Sequence, residues 1–309
     1  MDTIKLMIDG KQVTAPEGVT VLRAAKDAGI DIPTLCAHDD LPDYGACRLC
    51  IVQIEGMRGF PTSCTTPAAE GMVVTTCNSE IDQLRSEIME LMMSGHPNAC
   101  LVCNHREECE KYRPRVTKGG RATRCGVCSN RDGCVVRSMV LECNTRYLDL
   151  PTLYCHQNLE RDDPFMERDL NLCVFCGKCW RICEKIHGKP AITITKRGRW
   201  AKVGTAFDVS YVDSGCTFCG ACIDICPTGT LTDRYARWHG QASFGWESAC
   251  TLCPEGCTLK VMAKDNRVTH TEMVRFDSEQ RLCAIGRFGF TQVMNSTRRL
   301  LSPMTRDKQ

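Results

Sequence analysis

Several classes of partner leave no mark on this 309-residue sequence. The net charge is only +2, from 39 basic and 37 acidic residues, so nothing favours nucleic acid or an anionic membrane electrostatically. Aromatic residues make up 6% of the chain and do not alternate with basic ones, which removes the stacking platform of RNA-binding knuckles. No apolar run approaches the roughly 18 residues of a membrane span. The opening Met1-Asp-Thr-Ile-Lys-Leu6 has no charged segment followed by an apolar one, so no secretory leader is expected. Neither a G-x-G-x-x-G after a strand nor a Walker loop is present, so no dinucleotide or nucleotide site is signalled.

Cysteine is what the sequence has in excess, with 25 residues. In a small secreted chain that abundance would mean disulfides. Here the cysteines cluster as C-x-x-C repeats, which suits chelation better than cross-linking of distant loops. The expectation is a soluble protein of a reducing cytoplasm, in cells that live at low oxygen. The hydrophobic share of 43% includes all 25 cysteines, so the apolar core is thin. Metal binding then supplies folding energy, and the apoprotein is expected to be largely disordered.

Nineteen cysteines and one histidine fall into five sets with iron–sulfur ligand spacing. The expected fold class is α+β, in five modules. Residues 1–78 read as a β-grasp. Ile4–Ile8 alternates like a strand, Asp9-Gly10 turns, Lys11–Thr14 returns, Val19–Ala28 has helical periodicity, and Ile51–Ile54 and Met72–Thr75 read as later strands. Cys36, Cys47, Cys50 and Cys64 give the four thiolates that a [2Fe–2S] cluster needs. Gly45 and Ala46 are small enough to let backbone N–H groups approach the sulfurs. Structural zinc is the alternative there, and Cys77 is read as a buried spare thiol.

Residues 79–112 begin with a helix marked by Ile81, Leu84, Ile88, Leu91 and Met92, capped by Asn78 or Ser79. His96, Cys100, Cys103 and Cys109 follow as H-x3-C-x2-C-x5-C. His105, within the same loop, receives no ligand role. Residues 113–160 are a cysteine-containing insertion. Arg113–Arg124 reads as a basic surface loop, and Cys125, Cys128, Cys134 and Cys143 could hold zinc or an extra cluster, or remain thiols. Cys155 competes with Cys143 for fourth place.

Residues 161–236 carry the strongest motif. Cys173, Cys176, Cys179 and Cys183 form one C-x2-C-x2-C-x3-C run, and Cys216, Cys219, Cys222 and Cys226 form a second, followed by Pro227. Tandem runs of this kind build two [4Fe–4S] clusters, the fourth cysteine of each ligating the other cluster. One set is then Cys173, Cys176, Cys179 and Cys226; the other is Cys183, Cys216, Cys219 and Cys222. Gly177 and Gly220 allow tight turns, and Ala191–Thr195 reads as a strand between the runs. Glu184 stands where the first run would carry proline. In residues 237–309, Cys250, Cys253, Cys257 and Cys283 give C-x2-C-x3-C-x25-C, with a hairpin about Asp265-Asn266. Zinc is the alternative at this last site too.

The order of these motifs resembles the N-terminal part of the large iron–sulfur subunit of NADH dehydrogenase. Related subunits belong to [FeFe]-hydrogenases, NAD-linked formate dehydrogenases and electron-bifurcating complexes. Only residues 113–160 fall outside the resemblance. It implies a His/Cys3-ligated [4Fe–4S] cluster at His96, and neutral imidazole in place of a thiolate should raise the potential there. The last motif resembles the [4Fe–4S] domain of molybdopterin oxidoreductases. The sequence ends 26 residues after Cys283, so a pterin-binding catalytic domain is expected to be absent. The implied cofactors are one [2Fe–2S] and four [4Fe–4S] clusters, with zinc or an additional cluster in the insertion. The implied role is a non-catalytic electron-transfer subunit of a hetero-oligomeric, NAD(P)H-linked oxidoreductase complex, bifurcating complexes included. Its partners would be an NAD(P)H-binding flavoprotein and either ferredoxin or a further catalytic subunit. A wiring subunit of a formate dehydrogenase or hydrogenase is the competing reading. An iron–sulfur redox sensor is a more distant one, since no DNA-binding helix pair is visible.

Overall fold

The computed structural model describes residues 2–97, 128, 130, 133–145, 149–151, 153, 157–236, 239, 242–279, 281–299 and 302. The expectations for Cys100, Cys103, His105, Cys109, Arg113–Arg124, Cys125 and Cys155 lie outside these residues.

Alternation builds the first sheet. Strand β1 (Thr3–Ile8) turns its even positions inward, burying Ile4, Leu6 and Ile8. Asp9 and Gly10 both take positive φ (50° and 76°), the geometry a two-residue hairpin of matching twist demands. Strand β2 (Lys11–Pro16) then pairs antiparallel, Ile8 opposite Lys11. Helix α1 (Val21–Asp27) is capped by the Thr20 hydroxyl, which accepts the Arg23 N–H. Strands β3 (Gln53–Ile54) and β4 (Val73–Thr75) complete a sheet of order β2-β1-β4-β3, with β4 parallel to β1. This is the expected β-grasp order, and its core gathers Leu6, Ile8, Val21, Ala24, Val52 and Val74.

Helix α2 (Ser79–Ser94) starts where Asn78 accepts the Ile81 N–H at 2.9 Å. Its buried face carries Ile81, Arg85, Met89 and Met93. Met89 and Met93 pack with Val136 and Val140 of helix α3 (Val135–Glu142) in one core cluster. Arg85 is buried but satisfied: Nε donates to Leu49 O at 3.0 Å and Nη2 to Ile51 O at 2.9 Å. It thereby ties α2 to the loop that carries Cys47 and Cys50.

The unit that carries the tandem cysteine runs extends from strand β5 (Met166–Arg168) through helix α4 (Lys178–His187), strands β6 (Thr193–Thr195) and β7 (Lys202–Gly204) and helix α5 (Ala221–Asp224) to strand β8 (Leu231–Asp233). Strands β5 and β8 pair antiparallel, closing the unit on itself, and β6 and β7 form a side hairpin. The last unit is a sheet of order β11-β10-β9, made by β9 (Phe244–Ala249), β10 (Thr258–Lys264) and β11 (Arg267–Met273). The Asp265-Asn266 turn again has two positive φ values, 49° and 61°. Strand β9 is an addition to the expected elements. It is an edge strand with both faces largely open, Phe244 stacked on Trp246 at 5.7 Å, so no buried alternation announces it. A π-helical turn, Ile285–Gly289, leads into helix α6 (Phe290–Met294). Among the described residues no helix is long and apolar enough to cross a membrane.

Candidate functional site

Cys36, Cys47, Cys50 and Cys64 converge in the loops between α1 and β4, none more than 6% exposed. The Cys47 N–H donates to Cys36 Sγ at 3.4 Å and the Leu35 N–H to Cys47 Sγ at 3.5 Å. Gly45 and Ala46 do offer backbone N–H groups to sulfurs, those of Cys64 and Cys36. The thiols act in two pairs. Cys36 donates to Cys47, which pulls Cys47 down and pushes Cys36 up; Cys64 does the same for Cys50. A buried pocket of four sulfurs that already favours two thiolates and supplies N–H donors suits a group that takes thiolate ligands. Cys77 stands apart and is exposed, not buried as expected, because its thiol turns outward to the Asp82 carboxylate at 3.5 Å.

His96 lies at the end of α2, 7% exposed. Its Nδ1 stands 3.3 Å from Pro97 O, while Nε2 is buried with no hydrogen-bond partner. Burial pushes its pKa down, against the backbone carbonyls of Pro97 and Leu172 and the charge of Asp169, which favours the neutral ring. That is the state in which imidazole binds metal, the second nitrogen being fixed by a backbone carbonyl.

The tandem runs fold into two loops of one design. Phe175 and Phe218 hold φ of 51° and 54°, and Gly177 and Gly220 hold 72° and 81°. Positive φ on phenylalanine is strained, and the strain turns successive N–H groups inward as an anion-binding nest. Phe175 and Lys178 offer their N–H groups to Cys173 and Cys176, and Phe218 and Ala221 repeat this for Cys216 and Cys219. The structure brings Cys226 beside Cys173, Cys176 and Cys179. It brings Cys183 beside Cys216, Cys219 and Cys222. Burial pushes these thiols up, Cys173 and Cys216 to about 12 and Cys176 to about 11. Left to themselves they would stay protonated; iron ligation deprotonates such thiols outright.

One arginine joins the first of these loops to the β-grasp. Arg181 on α4 donates to Gly177 O at 3.2 Å, Pro42 O at 2.7 Å, and through Nη2 to the carbonyls of both Cys36 and Cys176. The Tyr44 ring lies beneath its guanidinium at 4.8 Å and meets Trp180 edge-on at 5.8 Å. Lys178 is buried beside Cys176 and Cys36, and that burial lowers its pKa.

In the last unit, Cys250 and Cys253 lie near Cys257, and Gly286 packs against Cys250 and donates its N–H to Cys283 Sγ at 3.4 Å. Cys253 and Cys283 are exposed, so this site opens to solvent. The insertion's cysteines divide. Cys134 lies near Cys128 and Cys226, and its helix is anchored by the Val135 N–H on Pro227 O at 2.9 Å. Cys143 caps the other end of α3 and packs in the core with Leu49 and Met89. Nine residues of helical rise, about 13 Å, separate it from Cys134, which corrects the expectation that both ligate one ion. Among the described residues no three His, Cys, Asp or Glu side chains converge as tightly as a single metal ion requires.

Comparison with known proteins finds iron–sulfur domains along the chain. Residues 1–79 match a 2Fe-2S iron-sulfur cluster binding domain. Residues 163–232 match the ferredoxin-like domain of NADH-quinone oxidoreductase subunit 3, and residues 246–295 the molybdopterin oxidoreductase Fe4S4 domain. The NADPH-Fe(3+) oxidoreductase subunit alpha of Geobacter sulfurreducens is 33% identical over 312 residues, covering 99% of this chain and 33% of that one. An NADH-quinone oxidoreductase subunit of Rhizobium meliloti is 32% identical over 98% of this chain and 33% of its own. The NADP-reducing hydrogenase subunit HndD of Solidesulfovibrio fructosivorans is 32% identical over 77% of this chain and 37% of its own. The chain thus spans about a third of the length of the curated relatives it matches. A chain of an NAD+-reducing [NiFe]-hydrogenase shares the fold with a TM-score of 0.62 at 24% identity, over 75% of this chain and 87% of that one.

Proposed function

We propose, on the premise that this chain is built of the iron–sulfur domains of NAD(P)H-linked oxidoreductase and hydrogenase subunits, that it is a multi-cluster electron-transfer subunit of such a complex. It exchanges single electrons with a flavoprotein that binds NAD(P)H at one end. At another end it meets ferredoxin or a further catalytic subunit, in the cytoplasm. The observation that carries this reading is Arg181, whose one guanidinium holds the Cys36 and Cys176 carbonyls together. Two cysteine sites on separate units are thereby fixed side by side, as a conductor needs and a set of independent structural sites does not.

In this reading Cys36, Cys47, Cys50 and Cys64 hold the [2Fe–2S] cluster. His96 holds the next one with Cys100, Cys103 and Cys109. Cys173, Cys176, Cys179 and Cys226 hold the first tandem cluster, and Cys183, Cys216, Cys219 and Cys222 the second. Cys250, Cys253, Cys257 and Cys283 hold the last. Once bound, such clusters take up and release one electron at a time. The chain's own part is to bury the thiols, aim N–H donors at their sulfurs and keep the sites in register. Cys128 and Cys134, with Cys125, remain a further site for zinc or a sixth cluster.

A second reading, the wire of a formate dehydrogenase or hydrogenase, draws on the molybdopterin-oxidoreductase type of the last unit. Anaerobic purification of the native protein with mass spectrometry of its companions separates the two. A nucleotide-binding flavoprotein is expected; reduction of ferredoxin by that complex would add bifurcation to the reading. A molybdenum or hydrogenase chain makes the second reading correct. Recovery of the chain alone overturns the subunit reading. Iron analysis of the same sample is expected to give about 18 atoms per chain for five clusters, or about 22 with a sixth.

A further inference from the structure

The C-terminal unit reaches into the ferredoxin-like unit with a buried charged side chain. Arg287 lies on the Ile285–Gly289 turn, four residues beyond Cys283, and is 1% exposed. Its Nη2 donates to Asp224 Oδ1 at 2.8 Å, and Asp224 Oδ2 accepts the Met273 N–H at 3.0 Å. The buried Thr271 hydroxyl contacts the carbonyls of Gly286 and Arg287 at 3.0 and 2.9 Å, which fixes the backbone beneath. The pair is therefore locked among α5, β11 and the turn.

That locking leaves a deficit. Arg287 Nε and Nη1 are buried and have no hydrogen-bond partner. Buried donors on a charged group are seldom left unmet, and each such case needs a reason. The place of the deficit supplies one. A Cβ built on Gly220 would stand 2.2 Å from Arg287 Nε, 2.7 Å from Cδ and 2.8 Å from Cγ. The guanidinium thus rests on the Cα of Gly220, within the Cys219-Gly-Ala-Cys222 loop. Gly286, one residue before Arg287, packs toward Cys250 and Cys283, their Sγ atoms 3.6 and 4.0 Å from its own ideal Cβ. The charge therefore stands between two cysteine sites, with Nε over the loop of the second tandem run. Sulfur bound to iron accepts N–H hydrogen bonds, and such bonds are among the features that set a cluster's potential.

We propose that Arg287 tunes the redox potential of the site formed by Cys183, Cys216, Cys219 and Cys222, its two unmet donors serving that site's sulfur and its charge favouring the reduced state. This rests on the cluster reading above. Reduction adds one electron and breaks no bond; in a titration dithionite supplies the electron through mediator dyes. A nearby guanidinium offsets the added charge. Asp224, whose carboxylate already acts on the Cys219 thiol, opposes it.

The test is an anaerobic EPR-monitored redox titration of the whole protein and its variants, with the relevant signal identified as the one that Cys183→Ser abolishes. Arg287→Gln is expected to make that cluster harder to reduce by about tenfold in the equilibrium, a fall of 59 mV for one electron. Arg287→Lys keeps a charge and should fall less. Asp224→Asn removes the counter-charge and should move the potential up. A purely structural clamp predicts no such opposition. Fully loaded Arg287→Gln with an unmoved midpoint overturns the proposal, as do Arg287→Gln and Asp224→Asn moving the same way. If Arg287→Gln does not load with iron, the Asp224→Asn titration decides: a rise supports the proposal, and an unchanged or lower midpoint ends it. Wild-type protein without any [4Fe–4S] signal would instead remove the cluster reading itself.

Discussion

Gly177 and Gly220 occupy the same position in two copies of one loop. Each follows the second cysteine of its run, each caps a helix from the left-handed region, and each is preceded by a phenylalanine forced to positive φ two residues earlier. Over Gly177 lie neutral rings: an added Cβ would meet Tyr44 Cε1 at 2.9 Å and Trp180 Nε1 at 3.0 Å. Over Gly220 lies the Arg287 guanidinium. The loop itself follows from local sequence. Its cover is assembled differently each time, at the first from Tyr44 of the β-grasp and Trp180 of α4, at the second from the C-terminal unit. Two loops of one pattern thus carry different covers, rings beside the charges of Lys178 and Arg181 at the first and a guanidinium paired with Asp224 at the second, and that difference is a physical means of giving two like sites unlike potentials.

The deepest cut into this comparison is to remove the cysteine that each run lends the other. Cys226 sits in the second run but stands with the cysteines of the first. Cys226→Ser is expected to abolish or cripple the cluster of Cys173, Cys176 and Cys179, with a loss of up to about four iron atoms. The signal that Cys183→Ser removes should persist. Iron analysis with EPR checks this, and loss of the Cys183-dependent signal from Cys226→Ser would mean that the two runs do not exchange ligands.

The approach of Cys226 to the cysteines of the first run is readable in the sequence because C-x2-C-x2-C-x3-C is a local pattern with few geometric solutions. The β-grasp strands and both two-residue hairpins are readable for the same reason. Arg181 is not, since its acceptors at Pro42 and Cys36 lie 139 and 145 residues away. Nor is Arg287, whose partner Asp224 lies 63 residues away. Nothing in the spacing of an arginine says which loop it will cover. Cys143 shows the opposite failure. Counted along the sequence it suits a chelating set, but the intervening residues form a helix that carries it away from Cys134. Cys77 departs from expectation because residue type alone implies burial, whereas the Asp82 carboxylate draws the thiol to the surface.

A methyl group on either glycine probes how rigid each cover is. Both alanines would have to hold a left-handed conformation, which costs about 1–2 kcal/mol. At Gly177 the nearest atoms belong to Tyr44, which is 36% exposed and can swing outward, and to Trp180. At Gly220 the methyl would overlap the Arg287 side chain and expel it from the Asp224 pair. Separating a buried pair costs about 3–5 kcal/mol. Gly220→Ala should therefore destabilise the loaded protein by about 3 kcal/mol more than Gly177→Ala, measured by anaerobic denaturation followed through cluster absorbance. Equal losses would mean that the aromatic cover yields no more readily than the charged one.

The smallest expected effect is at Trp180. Its Nε1 is buried and, like Arg287 Nε, has no acceptor among the described residues; it points at the Cα of Gly177 as the guanidinium points at Gly220. The two covers therefore share an unmet N–H and differ in charge. Trp180→Phe removes the donor and keeps an aromatic ring against Tyr44. If a neutral N–H and a charged one both serve sulfur, the first-run cluster should become harder to reduce, as the second does in Arg287→Gln, but by a smaller factor. A neutral hydrogen bond contributes roughly half what a charge-assisted one does, so about threefold against tenfold is the expected ratio, read in the same EPR titration. A shift as large as that of Arg287→Gln would show that the hydrogen bond, not the charge, does the tuning in both loops.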